Sequence, residues 1–336
     1  MQTVRIGFMP LIDCAVIAVA CERGLAERRG FRLVPSREPS WAAIRDHVAF
    51  GMLEAAHMLA PMPAAMTLGL GGPQIPMIAP LSLGRGGNAI TVSEPLYAAM
   101  EAVDPAALTG PRALSARALA RLVAERRGAA RMRFAAVFPF SCHYYELRLW
   151  LAAGGVNPDR DVELVVIPPP RMVENLASGL VDGFCVGEPW NQHAVTQGLG
   201  RIVATKADIA PEAPEKVLGL RRLWSLENAD IVTRLTEALV EAAAWADSHP
   251  AAVADLLAKE AWVGVPASLL LPCLEGTPRF GPQASLTPFP GYQGFCDGPT
   301  NVPRQEQVEW LIGQMILCGQ CRDTAGETIR RIFTPV

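Results

Sequence analysis

The sequence predicts an α/β protein of two lobes, with parallel-rich sheets flanked by helices. Three observations predict it. Short apolar runs alternate with segments of helical period, the pattern of βαβ units in which each crossover lays a helix on a parallel sheet. The alternation comes in two series, residues 4–59 and 134–187, with a glycine-rich crossing between them. A chain of 336 residues is also longer than one ordinary core can serve, so each series is expected to bury an interior of its own.

The first series opens with VRIGFM (4–9) and continues with a helix over 13–29 that ends at Gly30. FRLVPS (31–36), a helix from Trp41 and LEAAHML (53–59) complete it. In GRGGNAITVSEP (84–95) a strand-like AITV follows a glycine-rich turn and crosses to the other lobe. The second series holds FAAVFPF (134–140), a helix from His143, VELVVIP (162–168), a helix over 171–179 and VDGFCVG (181–187). A return crossing near RIVATKADI (201–209) makes the first lobe discontinuous, residues 1–92 with 206–336, around a second lobe of 93–205. From about residue 223 the chain reads as helices, interrupted by an irregular Pro/Gly-rich stretch over 272–304.

Composition narrows the partners. A net charge of −3 without any Lys/Arg run argues against direct nucleic-acid contact and against an anionic membrane surface, so a small ligand is expected. No stretch reaches the ~18–20 apolar residues of a membrane span. The N-terminus enters an apolar run after one arginine and does not read as a secretory signal, so the expected location is cytoplasmic. The eight cysteines are then expected to remain thiols, acting as small hydrophobes in apolar surroundings. Basic residues are nearly all arginine; lysine occurs at 206, 216 and 259.

Two helix starts carry donor side chains. In SWAAIRD (40–46) Ser40 caps a helix whose first residue is Trp41, an indole that either packs or donates. In FSCHYYELRLW (140–150) Ser141 caps a helix with His143 in its first turn. Free N–H groups and the helix dipole at both starts suit an anion. GRGGNA matches G-x-G-x-x-A but precedes a strand instead of opening a helix, so its expected role is backbone access to a cleft with the Asn88 amide as a donor.

Enzyme motifs do not survive the same reading. Cys318-Gly-Gln-Cys321 ends a helix, which favours structural thiols over a redox or zinc motif. Cys142 and His143 are adjacent, so their side chains diverge and make a poor dyad. Neither G-x-S-x-G, H-E-x-x-H nor a P-loop is present, and no catalytic residue, metal or cofactor is expected. In FCVGEPW (184–190) Cys185 lies mid-strand and should pack, whereas Gly187 to Trp190 occupy the carboxyl end, where open α/β sheets place ligands.

The stretches SREPSWAAIRDHVAFGMLEAAHMLAPMP, IPMIAPLSLGRGGNAITVS, VIPPPRMVENLASGLVDGFCVGEPWN and PEKVL, in this order, resemble the nitrate- and bicarbonate-binding proteins of bacterial ABC transporters. The resemblance runs from residue 4 to about 315. It implies the two-lobe periplasmic-binding-protein fold of the second type, closing a cleft around a small planar anion. By motif position the anion contacts would fall on Trp41, Asn88, His143, Gly187 and Lys216. The transporter proteins tend to carry glutamine where Asn88 stands.

With the expected cytoplasmic location, the chain resembles most the NasS-type nitrate/nitrite sensors. These hold an RNA-binding antiterminator of NasT type until the anion arrives. An ABC-transporter solute-binding protein for nitrate, nitrite or bicarbonate is the second expectation. An enzyme similar to the thiamine-pyrimidine synthases is the third, and it lacks their clustered cysteine motif. Nitrate and nitrite only accept hydrogen bonds, and the five implied contacts are donor-rich. The calcium-using bicarbonate proteins are expected to carry an acid after PEK, where Val217 stands.

Overall fold

The computed structural model describes residues 1–336 except 127, 129, 297, 299 and 334–336. Eleven strands are numbered in chain order: β1 Gln2–Phe8, β2 Phe31–Arg37, β3 Ala55–Leu59, β4 Met77–Gly86, β5 Asn88–Ser93, β6 Met132–Ala136, β7 Val162–Val166, β8 Gly183–Gly187, β9 Gly200–Thr205, β10 Lys216–Arg221 and β11 Gln293–Gly294. Among the described residues they form two sheets, ordered β11-β4-β10-β3-β1-β2 and β7-β6-β8-β5-β9.

The sheets are mixed where a parallel-rich pattern was expected. β1 runs parallel to β2 and β3, and β6 parallel to β7 and β8, as βαβ crossovers require. The strands that connect the two sheets are antiparallel to their neighbours. The chain leaves the first sheet on β4, enters the second on β5, and returns from β9 to β10. β5 pairs with β8 from Asn88 and with β9 from Ala89, so the ladder of the second sheet begins before residue 93.

Glycine makes the crossing possible. Gly86 and Gly87 sit at φ +73° and +77°, a region that residues with a Cβ rarely adopt. A Cβ on Gly86 would lie 2.3 Å from the Tyr292 carbonyl oxygen, and one on Gly87 2.0 Å from the Gln293 side chain.

The helix expected over 13–29 is broken. A 3-10 turn Ile12–Cys14 leads into a helix Ala15–Glu22, then a turn, then a second 3-10 turn Glu27–Arg29. Gly24 at φ +63° ends the helix, with its N–H and that of Leu25 returning to the carbonyls of Cys21 and Ala20. The helix Ala15–Glu22 is buried on nearly every side and lies between the first sheet and the long helix Ala229–Ser248.

Both expected serine caps form. Ser40 Oγ accepts from Ala43 N at 3.1 Å, and Ser141 Oγ from Tyr144 N at 3.0 Å; each such cap contributes ~1 kcal/mol. The capped helices are Trp41–Ala49 and Cys142–Ala153. The second sheet has an apolar cluster of its own, in which Cys185 packs with Ile90, Phe134 and Trp150. No helix among the described residues is long and apolar enough to cross a membrane.

Candidate functional site

The strand ends and helix starts converge between the two sheets. β5 and β8 pair so that Asn88 stands opposite Gly187. A Cβ on Gly187 would point into a space framed by Asn88 Oδ1 at 3.6 Å, His143 Nε2 at 3.7 Å and Leu11 Cδ2 at 3.5 Å. From the first sheet, Lys216 opens β10 and sets its Nζ 5.8 Å from the Trp41 ring centre. Trp41 in turn lies 5.6 Å from the His57 ring of β3. The structure thus brings Trp41, Asn88, His143, Gly187 and Lys216 into one region, and buries the four side chains there almost completely.

Five further polar residues complete the site, and sequence reasoning missed all of them as site residues. Lys216 Nζ lies 2.7 Å from Asp13 Oδ2 and 2.6 Å from Glu215 Oε1. Glu215 Oε2 is 3.2 Å from Lys206 Nζ, which donates to Glu146 Oε1 at 2.7 Å and to the Pro214 carbonyl at 3.1 Å. His57 Nε2 is 3.2 Å from the other oxygen of Asp13. A continuous chain His57, Asp13, Lys216, Glu215, Lys206, Glu146 therefore runs through the interior. Signals for part of it were present: Glu146 is one turn after His143, Glu215 is the acid of PEK, and Lys206 is a rare lysine in an arginine-biased chain.

Asn88 does not present the face expected of it. Its Nδ2 donates to Glu146 Oε2 at 3.0 Å and to Glu215 Oε2 at 2.5 Å. Two carboxylates fix the amide orientation, because only the NH2 end can satisfy them. The atom left facing the Gly187 space is Oδ1, an acceptor, and it has no partner among the described residues.

The network sets the protonation states. Burial alone would lower the Lys216 pKa, but the pull of Asp13 and Glu215 outweighs it and raises it. The same balance against Glu146 and Glu215 raises Lys206. Burial pushes the acids up, yet Lys216 and His57 hold Asp13 far below its usual range, and the two lysines hold Glu215 near 2. Glu146 behaves differently: burial raises its pKa and only Lys206 pulls strongly against it. Burial drops His143 to about 3, Glu215 and Asp13 opposing and Lys216 and Lys206 reinforcing the shift. His143 is therefore neutral at physiological pH.

Buried polar atoms are normally satisfied, so those that are not deserve an explanation. Trp41 Nε1, Asn88 Oδ1, both ring nitrogens of His143 and His57 Nδ1 lack hydrogen-bond partners among the described residues. Lys216 has two acceptors for three N–H bonds among the described residues. An indole N–H, an imidazole and a spare ammonium hydrogen in one buried region suit a small oxyanion, which supplies several acceptors from one compact body. The two thiols nearby are held in the protonated form. Burial pushes Cys142 and Cys185 well up; Cys142 Sγ donates to the Pro214 carbonyl, and Cys185 belongs to the apolar cluster.

A cavity of about 480 Å³ lies elsewhere, between β4 and the helix Ala229–Ser248, lined by Pro80, Leu81, Val232, Thr236, Val240 and Val302. Its acids, Glu237 and Glu241, face Arg28 and Arg29, so it offers no fixed positive charge to an anion.

Residues 1–260 match the NMT1-like family. The nitrate import ATP-binding protein NrtC of Synechocystis sp. PCC 6803 is 36% identical over 94% of the chain, and the bicarbonate transport ATP-binding protein CmpC of that organism is also 36% identical over 94%. The chain spans 46% of the length of each of these two relatives. The nitrate/nitrite binding protein NrtA of Synechococcus elongatus is 30% identical, the match covering 94% of this chain and 71% of that protein. The crystal structure of the periplasmic nitrate-binding protein NrtA from Synechocystis PCC 6803 superposes with a TM-score of 0.89 at 26% identity, covering 99% of this chain and 86% of that one. The chain therefore belongs to the NMT1-like family, has the periplasmic-binding-protein fold, and is related to the nitrate/nitrite binding proteins NrtA.

Proposed function

We propose that this protein is a binding protein, not an enzyme, and that it acts as a cytoplasmic sensor of nitrate or nitrite. The observation that carries the ligand assignment is a set of donors without hydrogen-bond partners among the described residues: His143 beside Gly187 and, joined to it through Glu215, the spare hydrogen of Lys216 with Trp41 Nε1 nearby. Lys216 is on the first sheet and Trp41 on a helix packed against it; Gly187 is on the second sheet and His143 on a helix packed against that one. We take the lobes to follow the sheets, residues 1–92 with 206–336 around 93–205, with the transfer near Asn88. An anion bridging them stabilises the closed form by its differential affinity for closed over open.

The sensor reading adds that a NasT-type RNA-binding antiterminator recognises the open form and is released on closure. Support for the compartment comes from eight unpaired cysteines, a chemistry that suits a reducing environment. The names of the relatives favour a second reading, a solute-binding protein of a nitrate or bicarbonate transporter.

Reciprocity separates the two. If nitrate weakens the antiterminator complex, the antiterminator weakens nitrate by the same factor. Nitrate affinity should fall when the partner is added, and substitutions near 88–95 and 201–209 should weaken the complex. An affinity unchanged by the partner would leave the transporter reading in possession. Bicarbonate binding tighter than nitrate, with or without calcium, would overturn the ligand assignment itself.

A further inference from the structure

The charge balance of the site is unusual for an anion receptor. Three buried carboxyls, Asp13, Glu146 and Glu215, face two ammoniums, Lys206 and Lys216. With every acid ionised the cluster carries one net negative charge before any ligand enters. A nitrate would add a second negative charge in a water-poor interior, where uncompensated charge is strongly disfavoured.

The imidazole of His143 is where a compensating proton fits. Its Nδ1 faces Glu215 Oε1 at 3.8 Å, and its Nε2 faces the space around Gly187. A neutral imidazole has one N–H, so it can serve either the carboxylate or a ligand in that space. An imidazolium serves both. The groups that face it divide evenly without a ligand. Glu215 from the segment before β10 and Asp13 from the turn after β1 favour the cation; Lys216 of β10 and Lys206 after β9 oppose it. On its own helix Glu146 is engaged by Lys206 and Asn88, and Cys142 by the Pro214 carbonyl. A bound anion is the charge that tips this balance.

Resting on the nitrate/nitrite reading, we propose that the site takes up its anion together with one proton, and that His143 carries it as an imidazolium bridging Glu215 and the ligand. The proton comes from solvent, and no covalent bond to the anion is made. By linkage, affinity falls as pH rises between the His143 pKa of the free protein, about 3, and its raised value in the complex. In that window the slope approaches tenfold per pH unit.

Titration calorimetry of nitrate in two buffers of unlike ionisation enthalpy, at matched pH from 5.5 to 8, reads the uptake directly. The expected result is close to one proton per nitrate at pH 6, with affinity declining toward higher pH. His143→Gln, which keeps a donor but cannot titrate, should bind more weakly, take up no proton and show a flat pH profile. Glu146→Gln should retain the uptake. The ring nitrogen-15 shifts of His143 in the wild type should move from neutral to imidazolium when nitrate is added at pH 6, which keeps the test open if a variant misfolds. Nitrate binding with identical heats in both buffers and no shift of His143 would overturn the proposal, as would uptake that persists in His143→Gln but vanishes in Glu146→Gln. Failure of the wild type to bind nitrate or nitrite at any pH would instead remove the ligand reading on which it stands.

Discussion

Lys216 and Lys206 are both buried, and each is held by two carboxylates, yet they occupy different situations. Lys206 places three acceptors around its ammonium: Glu146, Glu215 and the Pro214 carbonyl. Lys216 meets two, beside an indole and an imidazole whose nitrogens lack partners among the described residues. The saturated lysine ties the return crossing to the second sheet. The unsaturated one faces the place where a ligand would complete it. Buried charge by itself therefore does not mark a binding site; incompletely paired charge beside open donors does.

The largest expected effect breaks this comparison at its stronger end. Lys216→Ala strands Asp13 and Glu215, which should cost ~3–5 kcal/mol of stability, the usual penalty for removing one partner of a buried pair. Nitrate affinity should fall about 10–100-fold with the loss of one charge-assisted bond. Lys206→Met should be milder, about 1–3 kcal/mol, because burial already raises Glu146, which can take up a proton once Lys206 is gone. Denaturant unfolding and calorimetry on both variants check the contrast. Equal affinity losses would erase the distinction between the two lysines.

A pH effect comes next, from a buried acid outside this cluster. Glu188 accepts hydrogen bonds from the Tyr292 hydroxyl and from Gln192 N, and burial raises its pKa to about 7 despite them. A carboxyl raised on folding favours the native state when protonated. Its contribution is whole below the unfolded value near 4.5 and is lost as pH rises through about 7. Wild-type stability should therefore decline by about 3 kcal/mol from this group across that window, and Glu188→Gln should flatten the decline. Asp13 and Glu215, held low, act with the opposite sign and withdraw stability only as pH falls below the ordinary carboxylate range. Chemical unfolding at pH 3, 4.5, 6 and 7.5 resolves both.

Smaller still is Trp41→Phe. The ring remains and the unpartnered N–H is removed, so stability should hardly change while nitrate affinity falls by about 1 kcal/mol, roughly fivefold. Unaltered affinity would return Trp41 to a packing role.

What the sequence revealed of this arrangement follows from range along the chain. The strands, the two serine caps and the burial of Cys185 were legible because each depends on neighbours within a few residues. The broken helix after Ile12 was not, since Gly24 reads as tolerable inside a helical pattern until the returning N–H bonds are seen. The mixed sheets escaped because apolar runs do not encode strand direction. Asn88 was placed in the site but its polarity was misread. Its amide is oriented by Glu146 and Glu215, 58 and 127 residues away in sequence. The second lysine and its carboxylates were missed for the same reason: their partners meet only when the chain returns between the sheets.

Gly187 offers the most direct test that the space between the sheets is the anion site. A methyl group there would make ordinary contacts of 3.5–3.7 Å with Leu11, Asn88 and His143, and the residue does not need a positive φ, so the fold should accept it within about 0.5 kcal/mol. The same methyl would occupy the volume assigned to the ligand. Calorimetric titration of nitrate and nitrite into the wild type and Gly187→Ala, with their unfolding curves measured alongside, should show binding in the wild type and its loss by more than about tenfold in an equally stable variant. Equal affinity in the two proteins would place the anion somewhere else and contradict the account.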